Sequence, residues 1–579
     1  MTTKKWIRLL ALFSVFALFV AACGGGSDPD EDATTDDTVS AEGEEDEDFD
    51  DRAAAQQEGE DEATQTDASD EGSGDPVRGG HLIISGPSDI GNLDPITSSS
   101  FNTQYRIGRV YQKLLTFETG PEFGYTQNSL KPELATDWEI SDDNLTYTFT
   151  LREGVKWHDV APVSGREFTS ADVKATFDAI LAEGHQAALL ERVESVETPD
   201  DYTVVLNLSA PFAPLLNNMA NHFMWILPAE AFEEGYDRNA TFIGTGPFML
   251  TEREVDVVTK YERHPGYWEM GVDGEALPYL DSMDFIVMND TQQVIAAFKA
   301  GEIDLVTNGF PKELRTQLMA DFPEAQYGEW IDAGMGQVGV NMNREPFNDL
   351  RVRQAISLAI DREGMGAAIR GGGTIPSNVA PAQADFALPE QERVELLPYD
   401  PERAKELLAE AGYPDGFDAT LIATDRYGAL YTQQTEWLVE DLKAIGINVT
   451  LDMLDYSTYF GSRWPDVEYD LQFGPQTPFL EPDEWLRGQL QTGASRNWYN
   501  ISDPTLDTML DEQLGLTDAG ERAAAIQEIQ RYVLEEVMNP IPVWTYLTQW
   551  TSAPDFQGYY RHNAYGFTGI EYAWLEPES

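Results

Sequence analysis

The sequence predicts an α/β or α+β architecture, and three observations carry that prediction. Short runs alternate strictly between apolar and polar residues, amphipathic helical stretches lie between them, and no internal repeat is visible. Leu145 to Leu151 (Leu-Thr-Tyr-Thr-Phe-Thr-Leu) has the period of two that a half-buried strand requires. Thr169 or Ser170 caps a following helix whose Val173, Phe177, Ile180 and Leu181 share one face. Tyr202, Val204, Leu206 and Leu208 return to the period of two. Farther on, Asp349 precedes a helix with Val352, Ile356, Ala359 and Ile360 in register. Asp400-Pro401 supplies a cap and a first helical residue, and Gly412 ends that helix after Leu407, Leu408 and Ala411. A third helix passes through Trp437, Leu438 and Leu442 to Gly446 and feeds the alternating strand Ile447 to Leu451. These stripes are core signals and carry no function by themselves.

The chain has 579 residues, 42% of them hydrophobic, enough for a sizeable core. At about 150 residues per domain, that length suggests three to four domains. Lys and Arg number 37 against 102 Asp and Glu, a formal charge of −65. Phosphate recognition runs on clustered Lys and Arg, so this balance argues against a nucleic-acid partner and against docking on an anionic bilayer. The single cysteine excludes an internal disulfide framework and a Cys-based structural zinc site.

That cysteine has a telling position. Lys4, Lys5 and Arg8 precede an apolar run from Leu9 to about Val20, and Ala21-Ala22 lead to Cys23. Residues 1–23 therefore read as a secretory signal, too short for a spanning helix. Its end resembles a bacterial lipobox, which implies lipidation of Cys23 and a membrane anchor. Residues 24–76 follow as an acidic tether. Between Gly24 and Asp75 there are 22 acids, one basic residue (Arg52) and one aromatic (Phe49), a composition expected to remain disordered. The folded remainder still carries −47, with nine lysines and none after Lys443. Such an acid-rich, lysine-poor surface points to a saline or otherwise harsh external medium.

Catalytic signatures are missing. The six histidines (His81, His158, His185, His222, His264 and His562) show no i, i+4 pair and no ligand-like cluster. There is no Gly-x-Ser-x-Gly elbow and no phosphate-binding Gly-x-x-x-x-Gly-Lys. Gly244-Thr245-Gly246-Pro247-Phe248 reads as a tight structural turn, because Pro247 stops a helix from opening there. A carboxylate pair for glycoside hydrolysis cannot be singled out among so many acids. An exported hydrolase acting on a peptide or saccharide remains the alternative to a binding protein, with a signalling receptor of the same fold as a third reading. No metal or cofactor is expected.

Many short segments assemble in a recognisable order. They run from Lys131-Pro132-Glu133-Leu134-Ala135 through Leu151-Arg152-Glu153-Gly154-Val155-Lys156-Trp157-His158-Asp159 to Gly244-Thr245-Gly246-Pro247-Phe248. Phe298-Lys299-Ala300-Gly301-Glu302-Ile303-Asp304, Arg351-Val352-Arg353-Gln354-Ala355 and Tyr399-Asp400-Pro401 continue the series. In this order the chain resembles family 5 of the extracellular solute-binding proteins, the dipeptide, oligopeptide and nickel receptors of ABC importers. The resemblance implies a large, type II, two-lobed α/β fold with an extra inserted domain, closing by hinge motion on a small solute, peptide or oligosaccharide-like. It implies lobe I from 77–107, 240–335 and 545–579, an inserted domain over 108–239, and lobe III over 336–544. It also implies no enzymatic step, an ABC permease and ATPase as partners, and a monomer outside the plasma membrane or in the periplasm.

The same resemblance nominates ligand contacts. Arg426 and Tyr427 lie where peptide receptors of the family carry an Arg contact; Arg426 would fork onto a carboxylate and Tyr427 would stack or donate. An ion pair with Asp425 is the competing role for Arg426. Glu481 stands near the position of an aspartate that holds a peptide amino terminus, and it also matches the family's structural acid before proline. Phe479 and Trp485 would be apolar walls or core. Asp94 falls in the loop of lobe I beside the cleft. Pro475 and Pro478 replace the tryptophan and the aspartate of peptide-binding relatives, which weighs against a dipeptide or oligopeptide ligand. The nickel branch is disfavoured because no histidine falls in these segments.

Overall fold

The computed structural model describes residues 75–86, 92–98, 100–184, 186–307, 309–476, 479–563 and 567–577. The signal segment with Cys23, the tether as far as Gly74, and Pro478 lie outside the described residues.

The chain starts a ten-stranded sheet with β1 (His81–Gly86) and leaves it for a small pair, β2 (Leu115–Phe117) and β3 (Leu130–Pro132). A separate antiparallel sheet follows, in the order β4-β5-β7-β6: β4 (Ala135–Ile140), β5 (Thr146–Leu151), β6 (Val193–Asp200) and β7 (Thr203–Leu208). β5 and β7 are two of the alternating runs of the sequence, and they bury Tyr147, Phe149, Leu151, Val204, Leu206 and Leu208. Helix Ser170–Glu183 packs on this sheet and opens with a capping box between Thr169 and Asp172.

The chain returns to the large sheet with β8 (Phe248–Glu254), β9 (Val258–Arg263), β10 (Ser282–Val287) and β11 (Leu305–Val306). It crosses with β12 (Gln326–Val340), adds β13 (Phe417–Thr424), β14 (Ile447–Leu454) and β15 (Leu471–Gln476), and crosses back with β16 (Ile541–Ser552). β17 (Phe556–Gln557) and β18 (Trp574–Leu575) form a last pair. The large sheet reads β14-β13-β15-β12-β16-β11-β1-β10-β9-β8.

This order makes the molecule two-lobed. β12 and β16 pair with each other across both halves, with a register shift between Ile331 and Met335. Beyond the shift on one side β12 pairs with β15, and on the other β16 pairs with β11. Two long strands thus carry the sheet from one half to the other. One core joins β1, the four-stranded sheet and the C-terminal segment; two more lie around β13 to β15.

The helices expected in the second half are present. Asp349 caps Leu350–Ala359, Asp400 caps Pro401–Glu410, and Gly412 follows that helix at φ +100°. Helix Ala429–Ala444 connects the parallel strands β13 and β14, and β14 runs three residues past the expected Leu451. The turn at Gly244 is structural for a specific reason. The Gly246 N–H donates to the Val110 carbonyl at 2.9 Å, and a Cβ on Gly244 would fall 1.7 Å from that carbonyl oxygen. His158 and His264, far apart in sequence, meet here with ring centroids 4.7 Å apart. Burial lowers the His158 pKa to about 3, so the ring is neutral, and no metal-ligating cluster occurs among the described residues.

Candidate functional site

Side chains that recognise ligands in open α/β sheets sit beyond the carboxyl ends of parallel strands. β13 pairs in parallel with both β14 and β15, so three carboxyl ends, Thr424, Leu454 and Gln476, share one edge. β12 is antiparallel to β15, with Met335 opposite Gln476, which places the register shift of the crossing strands at that same edge. β1, β10 and β11 are parallel in the other half, and the β11–β16 register directs their carboxyl ends toward the crossing as well. The two edges face each other across the crossing.

Arg426 lies in the single turn Asp425–Tyr427 directly after β13. It is exposed, its backbone N–H is held by the Thr424 hydroxyl at 3.3 Å, and no ion pair engages it among the described residues. Tyr427 is half-buried in a ring cluster, 5.2 Å from Tyr431, 5.8 Å from Tyr456 and 6.5 Å from Tyr459. Burial pushes its phenol well above the ordinary range, so it acts as a neutral hydroxyl. The cluster continues to Tyr546 in β16, 5.4 Å from Tyr431, and the Arg370 guanidinium sits 4.0 Å from the Tyr546 ring centre.

The other nominated residues fall elsewhere. Phe479 is buried and meets Phe101 edge-on at 6.0 Å, with the Arg496 guanidinium 5.7 Å from its ring. Glu481 is buried, accepts the Asp483 N–H at 3.3 Å to start helix Pro482–Leu490, and is paired with Arg522 and Asn217. Trp485 is 1% exposed in the core beneath that helix. Asp94 pairs with Arg238 at 3.0 Å and accepts from Ile96 N–H and the Thr97 hydroxyl at 2.9 Å. The structure therefore brings Arg426 and Tyr427 together at the strand ends, sets Phe479 across from Phe101, and engages Glu481 and Asp94 within the protein.

Several groups at this junction have no local signature. Arg370, Tyr431 and Tyr546 belong to three distant segments and meet through the crossing strands. Across the junction Asn221 donates to Glu484 at 2.9 Å, Ala213 N–H to the Leu514 carbonyl at 2.9 Å, and Arg487 to Glu191 at 3.0 Å. Burial pushes Asp483 up to about 7 and Glu484 up to about 8.

Comparison with known proteins places this geometry. The profile of the bacterial extracellular solute-binding proteins, family 5 (middle), matches residues 129–497. The glutathione-binding protein GsiB of Salmonella paratyphi A is 30% identical over 483 residues, covering 79% of this chain and 87% of that protein. Heme-binding protein A of Haemophilus influenzae is 29% identical over 468 residues, covering 75% and 81%. Among solved structures, the periplasmic binding protein DppA of Helicobacter pylori, in complex with the peptide STSA, superposes with a TM-score of 0.73 at 24% identity. It covers 86% of this chain and 99% of its own. The chain belongs to family 5 of the bacterial extracellular solute-binding proteins.

Proposed function

We propose that the chain is the substrate-binding component of an ABC importer of the peptide type, held at the outer face of the membrane by a lipid on Cys23. The observation that carries this reading is the pair of crossing strands. Two lobes joined through β12 and β16, with a register shift at the join and strand ends from both sides facing it, suit closure of one lobe on the other around a solute. The family supplies the class, and relatives named for glutathione and for di- and tripeptides favour a small peptide-like solute over a metal, against the weight that Pro475 and Pro478 carry in the other direction. No helix among the described residues is long and apolar enough to cross a membrane, which fits a receptor that hands its solute to a separate permease and ATPase.

We assign lobe I to 77–107, 240–335 and 545–579, the inserted domain to 108–239 and lobe III to 336–544, and the crossing strands support the division between lobes I and III. The 335/336 and 544/545 boundaries fall inside β12 and β16, beside the shift. Arg426 and Tyr427 form the wall contributed by lobe III, and Phe479 with Phe101 closes one end. The receptor works as a monomer.

Calorimetric titration with a panel of di- and tripeptides and glutathione tests this. We expect saturable binding without product formation, weakened about tenfold or more by Arg426→Ala, the loss of one charge-assisted contact. A panel that is hydrolysed rather than held, or no binding at all, overturns the reading. Anchoring is checked separately: Cys23→Ser should release the protein from the membrane fraction.

A further inference from the structure

A second polar feature sits beside the crossing strands, on the side of lobe I. A cavity of about 70 Å³ is lined by Tyr105, Tyr125, Asp332, Thr548, Arg561 and Asn563, among others. That is room for a few waters or for one end of a larger molecule. Asp332 lies in the register shift of β12 and Thr548 in β16. Tyr105 comes from helix Phe101–Ile107, whose first residue meets Phe479 of the opposite lobe. The cavity thus adjoins the junction that closes on a solute.

Its chemistry is lopsided. Arg561 donates to the Gln549 carbonyl at 3.4 Å and to the Tyr105 hydroxyl at 3.2 Å, and among the described residues it makes no ion pair. Two long bonds to neutral acceptors leave most of a five-donor fork unused. Asp332, the carboxylate in the lining, attracts Arg561 through space but spends its hydrogen bonds elsewhere: it accepts the Gly334 N–H at 2.8 Å and the Thr548 hydroxyl. Asn563 is 4% exposed, and among the described residues neither its amide nitrogen nor its amide oxygen has a partner. His562 is neutral, its pKa lowered by burial to about 4, so Arg561 is the cation of the lining. The unpartnered Asn563 amide is costly to bury unless something meets it, and a planar anion meets the partly exposed Arg561 guanidinium with two bonds at once.

We propose that this cavity is a subsite for a carboxylate of the bound solute, with Arg561 as the fork and Asn563 as a second donor. It rests on reading the chain as a solute receptor and adds a second recognition point, in lobe I, to the Arg426 wall of lobe III.

The test uses trifluoroacetate as a bare carboxylate, followed by its ¹⁹F resonance on the purified protein, with trifluoroacetamide as the neutral control. We expect saturable broadening by trifluoroacetate alone. Arg561→Gln and Asn563→Leu should each weaken it about tenfold. Thermal melts establish that the variants fold. No saturable binding by the native protein, or equal binding by folded Arg561→Gln, overturns the proposal. Dipeptides and their C-terminal amides separate it from the receptor reading. Free acids that bind Arg561→Gln as tightly as native protein sink the subsite and leave the receptor. Trifluoroacetate held through Arg561, with no dipeptide bound, sustains the subsite and sinks the peptide reading.

Discussion

Glu481 shows what a single residue's neighbours do to its role. From the sequence it is an acid before proline in a segment that meets ligand in relatives, and a structural role is the competing reading. In the fold it is 1% exposed and starts a helix while Arg522, 41 positions later and 4% exposed, lies against it. Removing one partner of such a pair leaves the other charge buried and unpaired, which costs about 3–5 kcal/mol. Glu481→Ala should therefore lower unfolding stability by that amount in a denaturant melt, and pairing it with Arg522→Met should recover most of the loss. Asp94, held by Arg238, was equally unreadable, because ion-pair partners about 40 and 140 residues away leave no local trace. Arg426 differs: it is exposed, so Arg426→Ala should leave stability within about 0.5 kcal/mol of native while weakening solute binding.

At the scale of elements, the legible features were the local ones. Caps at Thr169, Asp349 and Asp400 and the period-two runs of β5 and β7 are decided within a few residues, and each formed where its pattern placed it. Strand order and the register shift between β12 and β16 were not legible, since both depend on pairings across some 200 residues of chain. The Gly244 turn lies between these cases. Its tightness was readable, but its partner, the Val110 carbonyl more than a hundred residues earlier, was not. The backbones approach so closely that a methyl group cannot be seated without moving one of them. Gly244→Ala should cost about 1–3 kcal/mol or more, measured as a lowered melting temperature, and Gly301→Ala, with open space around it but φ +71°, should act through backbone strain alone.

For the whole molecule, charge is the dominant fact, and it acts in two ways with different tests. The −65 is spread over solvated carboxylates that repel one another; molar salt shortens the screening length to about 3 Å and should raise the melting temperature. The buried acids at the lobe junction respond to pH instead. Glu484 accepts from Asn221 across the junction, near Glu481, Asp483 and Arg496, and burial raises its pKa from 4.5 to about 8; Asp483 is raised from 3.8 to about 7. Between those values the folded protein keeps protons that the unfolded chain has lost. Stability must then fall as pH rises from about 4.5 to 8, with the penalty complete above the folded values and absent below the unfolded ones. An amide of the same shape cannot ionise, so Glu484→Gln keeps an acceptor for Asn221 without that penalty. Melting temperatures across pH 5 to 8 should decline for the native protein and decline less for Glu484→Gln. Parallel curves would mean that the Glu484 proton is not held by the closed junction.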